Sequence, residues 1–333
     1  MAALSERPLI PRLKPIMSLH PDVAAFLDLV ADSGSPPFHS LSPQQARTAY
    51  EASSQMLDEP IANDATALSI TCRDGYRLEL RHYQGEESLS PILLYFHGGG
   101  YLLGSLDSHD SLCQSIAQAT GYTVLAVDYR LAPEHKFPTA FHDAEDAYCW
   151  LLKHGEEMGL DTSRIAVGGD SVGGTLATAL CMSARDNGWH LPRCQILLYP
   201  CTSAWQDSES HRRYAQGYLL EADTLQWMFG HYLNSSEERH DWRFAPLEAA
   251  KLKNLPPAFI ALAEHDLLVD EGIAYVNRLQ EANVDTQLTI YPGMVHDFAR
   301  LGSITPDATG QVRADIAKAL QHHLSKHPSP VDF

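Results

Sequence analysis

The chain is 333 residues long and carries a formal net charge of −18, with 24 Lys and Arg against 42 Asp and Glu. That balance argues against a nucleic-acid partner, because phosphate binding needs clustered cations and no basic stripe is present. Hydrophobic residues at 44% and charged residues at 20% suit a globular chain, long enough for one large α/β domain with a smaller cap.

Residues 1–8 hold no long apolar run with a small-residue cleavage site, so no secretory signal is expected. Apolar runs such as 91–96 are strand-length, so no membrane span is expected either. Pro21 can start a helix running to Val30. A sharper start follows, with Ser42 as N-cap, Pro43 in the first turn and Gln45 at the reciprocal capping position. These helices, over residues 1–50, are read as part of a cap. Strand patterns begin near residue 66: 67–72 and 76–83, joined at Asp74-Gly75, read as an antiparallel hairpin. Strands then alternate with helices. The strands are 92–96, 123–127, 165–167, 195–199, 258–263 and 287–291; the helices lie near 108–120, 140–154, 174–187 and 270–282. Short apolar strands with helical crossovers imply a mostly parallel central sheet covered by helices on both faces.

One interval breaks the rhythm. Between Pro200 and Pro256 no strand pattern occurs, aromatic residues accumulate, and 220–229 reads as an amphipathic helix. This is expected to be a helical insertion after the sixth strand, over 201–250. It would divide the core into 51–200 and 251–333 and cap the carboxyl edge of the sheet together with the N-terminal helices. The six cysteines are scattered, form no Cys-x-x-Cys pair and often sit in apolar segments. Buried free thiols, and hence a cytoplasmic chain, are expected.

The chemistry-bearing run is Val167-Gly168-Gly169-Asp170-Ser171-Val172-Gly173-Gly174. It contains Gly-x-Ser-x-Gly between a strand-like and a helix-like segment. A serine on such a turn is forced into strained backbone geometry that lifts its hydroxyl above the sheet, and the helix behind it points a positive dipole end at it. A serine nucleophile needs a base and a carboxylate to orient that base. Asp266 follows the strand 258–263 and His296 follows the strand 287–291, both at carboxyl strand ends where ligand sites of open α/β sheets form. With 17 histidines in the chain any single one is weak evidence, so order along the chain decides. His265 comes too early, and Asp270, the alternative carboxylate, is better placed to start the next helix.

A second run, His97-Gly98-Gly99-Gly100-Tyr101, follows the strand 92–96. Alone it reads as a flexible turn. Beside a nucleophile its unobstructed amides can hold an oxyanion, with Gly99, Gly100 and Val172 as expected donors and Gly98 acting with or instead of Gly100. His97 is expected to brace the loop. No zinc-ligand spacing and no Gly-x-x-x-x-Gly-Lys loop is present, so neither metal nor cofactor is expected.

Taken together, His97-Gly98-Gly99-Gly100, the run from Asp128 to Glu134, Gly169-Asp170-Ser171-Val172-Gly173-Gly174, Asp266 with Asp270-Glu271-Gly272, and Gly293-Met294-Val295-His296 resemble the hormone-sensitive-lipase-like esterases. These are the bacterial family IV carboxylesterases, of α/β-hydrolase fold, and the matches run in family order over about residues 92–300. The resemblance implies a serine carboxylesterase with the triad Ser171, His296 and Asp266, an acyl-enzyme intermediate and short- to medium-chain acyl esters as small-molecule substrates. A homodimer through an exposed sheet edge is implied in the same way. Three positions depart from the family pattern: Val172 for alanine, Leu267 for proline and Asp297 for glycine. Asp297 either alters the titration of His296 or points to solvent. The insertion's rings either form cap core or line an acyl pocket, and Tyr101, Tyr218, Trp227 and Val295 are candidate substrate contacts. The same triad also serves amidases, deacetylases and lactonases. A non-catalytic receptor on this fold would typically lack a triad member.

Overall fold

A computed structural model of the protein describes residues 18–58, 62 and 65–325. The N-terminal stretch read for a secretory signal lies outside the described residues. The strands are β1 (Thr66–Thr71), β2 (Arg77–Tyr83), β3 (Ser90–Phe96), β4 (Thr123–Val127), β5 (Leu160–Asp170), β6 (Cys194–Leu198), β7 (Ala258–Ala263) and β8 (Thr286–Tyr291). They form one sheet in the order β1-β2-β4-β3-β5-β6-β7-β8. Only β2 runs against its neighbours; every other pair is parallel. The helices are α1 (Pro21–Asp32), α2 (Pro43–Leu57), α3 (Asp110–Thr120), α4 (Thr139–His154), α5 (Val172–Asp186), α6 (Glu209–Arg213), α7 (Ala222–Tyr232), α8 (Val269–Glu281) and α9 (Pro306–Leu324).

Alternation along the strands explains the two layers of core. In β3, Ile92, Leu94 and Phe96 belong to the core layer that also holds α4, α5 and α8, while Leu93 and Tyr95 belong to the layer with α3 and α9 on the other face. Each fully buried aliphatic side chain contributes roughly 1.5–3 kcal/mol. β3, β4, β6 and β7 are buried at every residue, which is why they read as short continuous apolar runs.

Two features differ from expectation. β5 continues through Gly168 and Gly169 to Asp170, and α5 begins at Val172, so a single residue joins strand to helix. The glycines interrupt the apolar pattern without interrupting the elements. The C-terminal helix α9 was not among the expected elements. Its buried face, Val312, Ile316, Leu320 and Leu324, recurs every four residues but is diluted by polar neighbours.

The cap joins two separate stretches of chain. α2 starts with the expected capping box: Ser42 Oγ accepts from the Gln45 amide (3.3 Å) and the Ser42 amide donates to Gln45 Oε1 (3.1 Å). The insertion between β6 and β7 supplies α6 and α7, and His39 Nδ1 lies 3.2 Å from Thr224 Oγ1, linking the two parts. Arg47 of α2 donates to Leu102 O (2.9 Å), Ala132 O (2.5 Å) and Glu134 (2.7 Å). The run from Asp128 to Glu134 therefore acts as a clamp between cap and core. Tyr129 Oη donates to His97 O (2.8 Å), and Arg130 grips Asp143 (2.6 Å) and Asp74 (2.7 Å). The six cysteines are free thiols, five buried and Cys149 partly so. No helix among the described residues is long and apolar enough to cross a membrane.

Candidate active site

Ser171 sits at φ 52°, ψ −123°, a conformation unfavourable for a residue with a Cβ. Neighbouring backbone holds it there: its amide donates to Leu198 O (2.8 Å), and its carbonyl accepts from the Cys201 amide (3.3 Å). The turn also needs β3 close against the start of α5. A Cβ at Gly173 would lie 1.9 Å from Phe96 O, with backbone on both sides and nothing free to move. The Val172 amide is the first of α5, one of the four with no partner inside the helix.

Asp266 and His296 arrive from the loops after β7 and β8. Asp266 Oδ1 accepts from the Leu268 amide (2.9 Å), which fixes the carboxylate, and Oδ2 lies 2.7 Å from His296 Nδ1. That partner assigns the Nδ1–H tautomer and leaves the Nε2 lone pair for a substrate-side proton. Burial disfavours the imidazolium, but the charge and hydrogen bond of Asp266, with Asp297 and Asp170 behind them, outweigh it and push the His296 pKa up to about 9. Asp270 instead accepts from the Ser210 amide (2.8 Å), and His265 stacks parallel to Tyr218 with ring centroids 6.1 Å apart. Of the two candidate carboxylates, Asp266 is the one that reaches His296.

The glycine loop turns sharply, with φ of 112° at Gly99 and 63° at Gly100, and the Leu102 and Leu103 amides close onto Gly99 O at 3.1 and 2.8 Å. Gly98 has a different part: its amide donates to Asp170 Oδ1 (3.0 Å) and ties the loop to the elbow. His97 Nδ1 bonds Gly98 O (2.7 Å) and its ring stacks on Tyr129 at 4.3 Å. Burial, helped by His109, lowers the His97 pKa to about 3, so the ring stays neutral and braces the loop.

Ser171, His296, Gly99 and Gly100 line one cavity of about 90 Å³. The N-terminal cap adds Phe38, Tyr50, Ser53, Ser54 and Leu57 to its wall, and the insertion adds Leu219, Leu220, Thr224, Leu225 and Met228. None of the four candidate substrate contacts is in that wall. Tyr101 is buried and stacked on Tyr232 (3.9 Å), and Val295 is fully buried in the core beneath. Tyr218 packs on Tyr214 (4.9 Å), and Trp227 lies on α7 against His231 (5.1 Å), while Leu225 and Met228 of the same helix face the cavity. Helical spacing around 220–229 could have separated these faces; aromatic content could not. The Val172 side chain is buried in the core between sheet and helices, so its extra bulk does not enter the cavity.

A buried polar group beneath the site went unread in the sequence. Asp170, fully buried, accepts from Tyr95 Oη (2.7 Å) and the Gly98 amide (3.0 Å) and lies 3.2 Å from His109 Nε2. Burial opposes its charge, yet His109, Arg300 and the Tyr95 hydroxyl together hold it below the usual carboxylate range. Arg300 donates to Tyr50 Oη and, at 2.9 Å, to Ser54 Oγ, joining α2 to the His296 loop. The only sequence signal was the position of Asp170 inside the elbow motif.

The alpha/beta hydrolase fold family model matches residues 93–300. The chain is 46% identical to an ethyl acetate hydrolase of Pseudomonas putida over 92% of its own length and 100% of that relative's. It is 37% identical to a carboxylic ester hydrolase of Mycobacterium tuberculosis over 79% of its length and 71% of the relative's. Among solved structures, a thermostable esterase from Pseudomonas putida superposes with a TM-score of 0.90 at 30% identity, covering 94% of this chain and 100% of that one. A hyperthermophilic esterase from Pyrobaculum calidifontis gives 0.86 at 34% identity, covering 92% and 98%. With its strand order and strained serine turn, the chain belongs to the hormone-sensitive-lipase-like family of the α/β-hydrolase fold and is a carboxylic ester hydrolase.

Proposed function

We propose that the protein hydrolyses short- to medium-chain acyl esters through a Ser171–His296–Asp266 triad and an acyl-enzyme. Ser171 Oγ attacks the ester carbonyl carbon while His296 Nε2 takes its proton, and Asp266 holds the Nδ1–H and stabilises the imidazolium. The carbonyl oxygen becomes an oxyanion held by the Gly99, Gly100 and Val172 amides, the last favoured by the helix dipole. As the tetrahedral adduct collapses, the C–O bond to the alcohol breaks and His296 protonates the departing oxygen. A water then gives its proton to His296 and attacks the acyl carbon. The acid leaves, and Ser171 recovers its proton from the imidazolium.

One observation carries the reading: the buried 2.7 Å contact between Asp266 Oδ2 and His296 Nδ1 belongs to a ring lining the same cavity as Ser171. The small volume of that cavity, with Met228 seated over Gly100, favours the short-acyl end of the range. The ethyl acetate hydrolase relative points the same way. The test is treatment with an organophosphate, adduct mapping by mass spectrometry, and hydrolysis of p-nitrophenyl esters from acetate to palmitate. An adduct on Ser171 and rates falling with chain length are expected; no adduct and no turnover would end the proposal. A cytoplasmic location, supported by the six unpaired thiols, belongs to the same proposal, as does a homodimer through an exposed sheet edge. Sedimentation velocity reads the dimer directly.

A further inference from the structure

The residue after the catalytic-base candidate carries a second carboxylate, and its surroundings give that carboxylate work to do. Asp297 adopts φ 66°, the left-handed region, and lines the cavity beside His296. Its Oδ1 lies 4.0 Å from His296 Nε2, and its Oδ2 lies 3.8 Å from Arg300 Nη1. Asp266 already occupies Nδ1, so Asp297 acts on the opposite nitrogen, the one that exchanges protons with Ser171 and the leaving alcohol. At 4.0 Å it is too far to hydrogen-bond Nε2 and compete with the serine, but close enough for its charge to be felt in a buried site.

Arg300 limits and steers that charge. It is 3% exposed, and its guanidinium is anchored by Tyr50 and Ser54, both on cap helix α2, and contacts His109 Nε2 at 3.3 Å. The groups that face His296 are thus Asp266 at Nδ1, Asp297 at Nε2, Ser171 in the cavity and the Tyr199 ring at 4.7 Å. The charges of Asp170 and Arg300 lie behind them. On the triad reading above, we propose that Asp297 is a positioning residue for proton transfer: held by Arg300, its carboxylate stabilises the imidazolium from the Nε2 side, and Arg300 ties its placement to the seated cap helix.

The consequence is a crossing of two pH profiles. Removing the carboxylate makes His296 easier to deprotonate and also a weaker base. In Asp297→Asn the acid limb of kcat/KM moves to lower pH, with roughly a two- to threefold gain on the acid side and a similar loss on the alkaline plateau. Asp297→Gly, which suits the left-handed backbone, gives the same displacement. The measurement is kcat/KM against pH on p-nitrophenyl acetate with the spontaneous rate subtracted, beside the low-field NMR resonance of the His296 Nδ1 proton. That resonance titrates at lower pH in both variants. A purely structural loss would scale the profile down without crossing it. Superimposable or parallel profiles in an active wild type and Asp297→Asn overturn this inference alone, as does a displacement confined to Asp297→Gly. A wild type without serine-dependent turnover overturns the triad reading and this inference with it.

Discussion

The floor and the roof of the cavity are built by different means. The floor consists of Ser171, the Gly99–Gly100 turn and His296, on loops leaving the carboxyl ends of β5, β3 and β8. Its elbow and glycine turn are set by backbone, through positive φ at Gly99, Gly100 and Ser171 and carbonyl-to-amide bonds, and the His296 ring is set by Asp266. The roof is made of side chains from α2 and the insertion, such as Tyr50, Leu220 and Met228, packed from two distant parts of the chain. A floor set largely by backbone fixes the candidate catalytic atoms whatever the substrate, while apolar roof side chains such as Leu220, Leu225 and Met228 can vary in size without disturbing the chemistry.

That contrast can be broken from the floor first. Ser171→Ala should lower kcat roughly 10⁴- to 10⁶-fold with the fold intact by circular dichroism, because it removes the proposed nucleophile from the strained turn. Asp266→Asn should cost about 10⁴-fold by presenting the wrong tautomer, whereas Asp270→Asn, which loosens only its bond to the Ser210 amide, should stay within about tenfold. Steady-state kinetics on one short ester separates the two, and the reverse ranking would transfer the acid role to Asp270. Gly173→Ala tests the close approach of β3 to the elbow. Its methyl would sit 1.9 Å from Phe96 O, and denaturant unfolding should show a loss of about 3 kcal/mol or more.

Smaller effects probe electrostatics and the roof. On the proposed mechanism His296 must be neutral to accept a proton, and with its pKa pushed up to about 9, kcat/KM should climb with pH into the alkaline range. Below that midpoint it should fall roughly tenfold per pH unit, and a plateau already reached at pH 6 would contradict the pairing with Asp266. Met228→Ala, which opens space above Gly100, should move the butyrate-to-acetate rate ratio upward by about tenfold or less. Trp227→Ala, on a neighbouring face of the same helix, should leave that ratio unchanged.

Much of the floor could be read from the chain because each requirement is local. A glycine that must admit a carbonyl, a serine between strand and helix, and an acid and a histidine one strand apart are written in short windows of sequence. The same locality misled the roof assignment. Tyr218 and Trp227 are large rings near the site in sequence, yet which face of the insertion closes over the cavity depends on how it packs against the N-terminal cap more than 150 residues away, which no window contains. Gly98 is a similar case: its place in the glycine run suggested an oxyanion donor, but Asp170, 72 residues away, engages its amide.

The amino-acid sequence by itself determined the alternating α/β core, the order of the triad candidates and the position of the elbow, because strand burial and turn sterics act between near neighbours. Tertiary structure decided the rest: which side chains line the cavity, the buried Asp170–His109–Arg300 group and the facing of Asp297 toward His296 Nε2. Those depend on contacts between residues up to 250 positions apart, such as Arg300 and Tyr50, and such contacts exist only once the sheet has brought its loops to one edge.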